Sequence, residues 1–159
     1  MTLGLDLMTF TLLHVLISLI GVVAGFVVMA ELLTSRSSSG WTTIFFATTI
    51  VTSASGFLFP FSKLLPSHIV GIISLALLAI ALFAFYIQQM HGLWRQVYIV
   101  TALLSLYLNV FVMIIQAFLK IPVLKGLAPT QTEPPFIIVQ GVTLLFFVTV
   151  IIVSAIKYH

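Results

Sequence analysis

The sequence predicts an all-α protein, a polytopic integral membrane bundle of five transmembrane helices. Three observations carry this. Hydrophobic residues make up 62% of the 159-residue chain and charged residues 6%, too few charges to clothe a water-soluble surface. The apolar residues fall into five runs, 8–33, 41–61, 68–90, 95–121 and 136–157. Each is close to or above the ~20 residues a helix needs to cross roughly 30 Å of hydrocarbon. The runs are also continuous, without the alternation that strands of a membrane β-barrel would show. Little chain is left for anything else, so a single transmembrane domain over 1–159 is expected.

Each run has its own punctuation. The first resembles a secretory leader in apolarity but has no cationic lead-in and exceeds the usual leader length, so it is expected to be the first span. It ends in the polar stretch 31–40, and the second span opens at Trp41 and stops near Pro60. Pro66 favours a break, and Ser67 is expected to cap the third span, which ends in the polar stretch 88–92. The fourth span runs from Arg95 until Pro122, which is expected to bar further regular helix. A Pro-rich connection over 122–135 then leads to the fifth. Connections of this length often act as lids or binding elements.

Five spans place the N-terminus, the 62–67 turn and the 122–135 loop on one face, called here the N-terminal face. Trp41, Tyr86, Trp94, Tyr98 and Tyr158 all fall near the opposite face, as an interfacial aromatic belt should. Charge divides evenly: Arg36, Arg95 and Lys157 lie on the opposite face, Lys63, Lys120 and Lys125 on the N-terminal face. The first span has Arg36 after it and no Lys or Arg before it, which tips the expectation towards an N-terminus outside.

The absence of cysteine removes disulfides, thiolate metal sites and cysteine nucleophiles together. The carboxylates Asp6, Glu31 and Glu133 are all terminal or loop residues. A hydrolytic triad or a proton relay through mid-span acids therefore has no material. The net charge of +3 is spread over span ends and forms no basic patch for nucleic acid.

Chemistry, if present, lies in polar groups inside the spans. In the fourth, Tyr98, Thr101, Ser105, Asn109, Gln116 and Lys120 fall within roughly 60° of one line at about 100° per residue. A carboxamide facing lipid would go unpaired at a cost of several kcal/mol, so this stripe is expected to face protein or water. It reads either as a helix-packing seam or as a lined pathway. In the first span His14, Ser18, Gly21 and Gly25 share a face, with a G-x-x-x-G that allows close helix approach.

Depth brings these together. His14 lies about 9 Å inside the first span at 1.5 Å per residue, level with Gln116. Gln140 enters the fifth span and His68 opens the third, while Asn109 lies near the midplane. His14, Gln116, Asn109, His68 and Gln140 are therefore the expected ligand-binding residues of one pocket beneath the 122–135 loop. For metal, His14, His68 and Glu133 are the available ligands, but no His-x-x-His spacing supports them. Haem b or a quinone remains open as a cofactor; the unequal depths estimated for His14 and His68 argue against their joint ligation of haem iron. The expected role is a non-enzymatic binding or accessory module, alone, as a homo-oligomer or as a subunit of a larger membrane complex. A redox protein holding haem, quinone or metal is the alternative, and a small channel or transporter the next.

The run Ser105-Leu-Tyr107-Leu-Asn109-Val-Phe111-Val with Gln116, followed by Leu127-Ala-Pro129-Thr-Gln131 and Glu133-Pro-Pro-Phe136, resembles small bacterial membrane proteins. That resemblance spans most of the chain and implies a bacterial-type inner membrane, but no activity.

Overall fold

The computed structural model describes residues 4, 6–34, 39–58 and 66–157. Its regular structure is helical throughout these residues. Helix α1 covers Leu7–Leu33 and α2 Ser39–Ser55, the latter tightening into a 3₁₀ turn over Gly56–Leu58. Helix α3 covers Pro66–Leu82 and widens into a π turn over Phe83–Ile87. Helix α4 covers Leu93–Lys120, α5 Pro122–Leu127 and α6 Pro134–Lys157. Five of these are long and apolar enough to cross a membrane, which marks an integral membrane protein. Pro60, Arg36, Lys63, Tyr158 and His159 lie outside the described residues.

Local chemistry sets the ends. Asp6 caps α1, its carboxylate accepting from the Thr9 N–H at 3.3 Å, which satisfies one of the helix's orphan donors. Helix α3 begins at Pro66, so Ser67 sits in the first turn and is not the residue ahead of it. Helix α4 ends at Lys120, with Ile121 extended ahead of Pro122 as expected, and Pro122 then opens the separate short α5. A first-position proline has no N–H to lose, because that N–H would be unpaired anyway. Between α3 and α4 the chain turns sharply, with Gln89 and Met90 at φ of 51° and 57° and Gly92 at 58°. Of these three, glycine alone reaches that region without steric penalty.

Helices α1 to α4 close a ring: α1 packs along α2, α2 on α3, α3 on α4, and α4 returns to α1. Helix α6 stands outside, docked on α4 and touching α1 lightly. Of the apolar stretch of α4, 44% is buried inside the protein, against 11% for α6. The fourth helix is thus the hub and the last one faces mostly outward. The ammonium of Lys157 donates to the Leu33 carbonyl and ties the end of α6 to the end of α1.

The ring is drawn tight at Gly21 and Gly25. A Cβ on Gly21 would lie 3.0 Å from Thr48 Oγ1 and 3.2 Å from Thr49 Oγ1; one on Gly25 would meet Leu106 Cδ1 and, at 3.0 Å, Phe45 Cε1. Both glycines therefore let α1 approach α2 and α4 together, which is more than the pairwise contact a G-x-x-x-G implies. Above this level Phe46, Phe85 and Tyr98 interlock, with ring centroids 5.2 Å apart for Phe85 and Tyr98 and 6.2 Å for Phe46 and Tyr98. Tyr98 is only 2% exposed, so it belongs to the core and not to the interfacial belt. Its place on the same helix face as Ser105 turns it inward, whereas Trp41 and Tyr86 are exposed as a belt requires.

Candidate binding pocket

At its N-terminal face the ring opens into a cavity of about 500 Å³. All four ring helices line it. Helix α1 contributes Thr11, His14 and Val15; α2 and its 3₁₀ turn contribute Thr52, Ser53, Gly56 and Phe57. Helix α3 adds His68, Val70, Gly71 and Ser74, and α4 adds Asn109, Val112, Met113, Gln116 and Lys120, among others. From Lys120 to Asn109 the cavity follows α4 for about 16 Å at 1.5 Å per residue.

Four of the five expected pocket residues meet here: His14, His68, Asn109 and Gln116. Gln140 does not. It lies on α6, outside the ring, and its Nε2 donates to the Phe111 carbonyl of α4 at 3.3 Å. Phe111, Ile115 and Phe118 form the α6 side of α4, roughly opposite Asn109 and Gln116 at about 100° per residue. Replacing Gln140 with leucine should therefore leave ligand occupancy unchanged and shift stability by about 1 kcal/mol or less, as thermal melting in detergent would report.

His14 is oriented by α2. Its Nδ1 lies 2.7 Å from Ser55 Oγ, and Ser55 Oγ lies 3.2 Å from the Thr52 carbonyl. The serine has one hydrogen. Given to Thr52, it leaves His14 donating through Nδ1–H; given to His14, it leaves Nδ1 accepting. In both cases Ser55 fixes the imidazole plane. Sequence reasoning did not single out Ser55, although the end of an antiparallel second helix at the depth of His14 is where such a partner belongs.

His68 is 5% exposed and packs its ring against Phe57 with centroids 5.3 Å apart. The Phe57 ring fits because Gly71 has no side chain: a Cβ there would lie 3.1 Å from it. The Cε1 of His14 lies 3.9 Å from where a Cβ on Gly56 would stand. The two histidines thus flank consecutive residues of one 3₁₀ turn. His68 is buried two residues into α3, and His14 lies seven residues into α1.

Asn109 forms the floor. Its Nδ2 is buried with no hydrogen-bond partner, as is Thr49 Oγ1, and a Cβ on Gly21 would lie 3.5 Å from that Nδ2. Above Asn109 the stripe changes character. Thr101 donates to the Val97 carbonyl at 2.7 Å and Ser105 to the Thr101 carbonyl at 2.9 Å. These hydroxyls satisfy themselves on their own helix, and with the buried Tyr98 they form a packed seam. The stripe is therefore two surfaces: seam above, pocket wall below.

The 122–135 connection lines none of the cavity. It folds over the α6 side of α4, where Gln131 Nε2 donates to the Ile115 carbonyl at 3.0 Å and Phe118 meets Phe136 edge-on. Gln131 was invisible as an anchor in sequence, since its φ of 61° is set by the turn around it. Glu133 is likewise away from the histidines. It closes a turn by accepting from Thr130 Oγ1 at 2.7 Å and the Thr132 N–H at 3.1 Å. Among the described residues no group of three or more His, Asp or Glu side chains gathers to hold a metal.

The Thr130 hydroxyl, aided by the neighbouring N–H groups, holds the Glu133 carboxyl below its ordinary pKa. A lowered folded-state pKa contributes stability above the unfolded value and loses it as pH falls through the folded one. The amide protection factors at Thr130 and Thr132, with the intrinsic pH dependence of exchange divided out, should therefore fall on acidification below the usual carboxylate range and stay level above it. In the Glu133→Gln protein that pH dependence should vanish.

Compared with protein-family models, curated proteins and solved structures, the chain matches none.

Proposed function

We propose that the protein is a non-enzymatic binding or accessory module of the membrane, holding a small amphipathic ligand in the pocket of its four-helix ring. The observation that carries this reading is convergence: each ring helix sends polar side chains into one 500 Å³ cavity whose remaining wall is apolar. Such a mixture, a mainly apolar concavity with a few polar groups, is the usual make-up of a ligand site. His14, His68, Asn109 and Gln116 are the ligand-contacting groups. Tyr98, Thr101 and Ser105 hold the bundle together. Gln140 joins α6 to α4.

The packed seam above Asn109 favours a blind pocket over a transmembrane pathway, since Ser105 and Leu106 are wholly buried there. A quinone, with its two carbonyl acceptors and apolar tail, suits the same walls. Haem b or a metal would have to draw on His14 and His68. The outward-facing α6 is the surface through which a second copy, or a larger complex, would be joined. The orientation with the N-terminus outside a bacterial-type inner membrane opens the pocket towards that outer side.

Gentle purification followed by native mass spectrometry and an absorption spectrum tests the reading. One small molecule retained per chain, without a Soret band or bound metal, is the expected result. A Soret band or stoichiometric metal would replace it with the redox reading.

A further inference from the structure

The polar groups around the cavity are unevenly charged. Among the described residues, Lys120 is the one lining residue with a fixed charge, and no carboxylate lines the cavity. The two carboxylates on this face are occupied elsewhere: Asp6 with the Thr9 N–H at 3.3 Å, Glu133 with Thr130 Oγ1 at 2.7 Å. Lys120 ends α4, is exposed, and lines the same cavity as His14. Gln116 lies one turn deeper on the same helix face, with Thr11 and His14 on α1 lining the same cavity. Beyond these donors the wall becomes Val15, Phe57, Val70, Leu108, Val112 and Met113.

We infer that the pocket selects an amphiphile with an anionic, acceptor-only head, a carboxylate or phosphate, held at the mouth by Lys120 with its acyl chain along the apolar wall. This rests on the pocket reading above and adds the charge class of the ligand. An ammonium donating to an anionic oxygen makes a charge-assisted hydrogen bond, stronger than its neutral counterpart. At a membrane mouth, where the effective dielectric falls below that of water, the pairing strengthens further. A neutral head forfeits that term, and a cationic head meets repulsion. A lysine that merely reached for the interface would discriminate among none of them.

The full chain in neutral detergent, titrated with hexadecanoate, hexadecanol and hexadecyltrimethylammonium, supplies the test. Hexadecanoate should bind about tenfold tighter than hexadecanol, the equivalent of one charge-assisted contact, with the cation weakest. Lys120→Gln should bring acid and alcohol to within about twofold of each other, while Lys120→Arg keeps the preference. Lys125→Gln, on α5 and outside the cavity, removes the same charge and should change nothing. Equal binding of all three probes to the wild-type chain, or an equal loss in the Lys125→Gln protein, would overturn the anionic preference while leaving the pocket standing. Failure of every probe to bind would instead remove the pocket itself. Native mass spectrometry from phosphatidylcholine–phosphatidate nanodiscs, with and without hexadecanoate, separates the two sources: enrichment of phosphatidate identifies a membrane lipid, enrichment of hexadecanoate a free acid.

Discussion

Replacing His14 with leucine should strip the protein of its co-purifying ligand and leave the bundle folded. The imidazole lines the cavity and is held there by Ser55 at 2.7 Å. Leucine has a similar volume and suits a wall that already contains Val15, so packing is preserved. What disappears is a fixed polar contact, and a buried partner left unpaired loses about 1–3 kcal/mol, roughly fivefold to 150-fold in affinity. Native mass spectrometry should show occupancy falling correspondingly, with the melting temperature shifted by only a few degrees. Ser55→Ala should have the same direction and a smaller size, because it frees the ring without removing it. If the leucine variant retains ligand at wild-type occupancy, the imidazole takes no part in binding.

The largest effect on stability is expected at Gly25. Its Cβ position is occupied in advance by Leu106 Cδ1 and the Phe45 ring, and both side chains are fully buried. Leucine at this position must push α1 away from α2 and α4 together, or force both neighbours out of their rotamers. Overpacking of this kind costs about 1–3 kcal/mol in ordinary cores, and three helices meeting at one point puts it at the upper end. Gly21→Ala should cost less. Its nearest neighbours are the hydroxyls of Thr48 and Thr49 at 3.0 and 3.2 Å, and a threonine side chain can yield by a few tenths of an ångström. Thermal melts of both variants in detergent should rank them in that order. The opposite order would mean that the ring closes elsewhere.

The spans were legible because hydrocarbon imposes a length and an apolarity on whatever crosses it. Four pocket residues were legible for a related reason: an amide or imidazole in lipid has nowhere to go except towards other protein. Which helices form the ring was not legible. That order depends on side-chain fit among five similar apolar surfaces, and nothing in Gln140 itself distinguishes a residue reaching into a cavity from one reaching to the Phe111 carbonyl. Tyr98 was misplaced because a tyrosine near a span end satisfies the belt rule, although its helix face already pointed inward with Ser105. The burial of His68 was not legible, because it depends on the Phe57 ring that packs against it. Gly21 and Gly25 carried the right signal at the wrong strength: a G-x-x-x-G announces one close neighbour, and here there are two.

Helix α6 closes nothing and walls nothing; it leans on the hub from outside. Its lipid-exposed side is thus open to chemistry at a distance from the ligand. A fluorophore or spin label on a cysteine placed there, in a chain with no native cysteine to compete, would give a single reporter for tilt or self-association that leaves the binding chamber undisturbed.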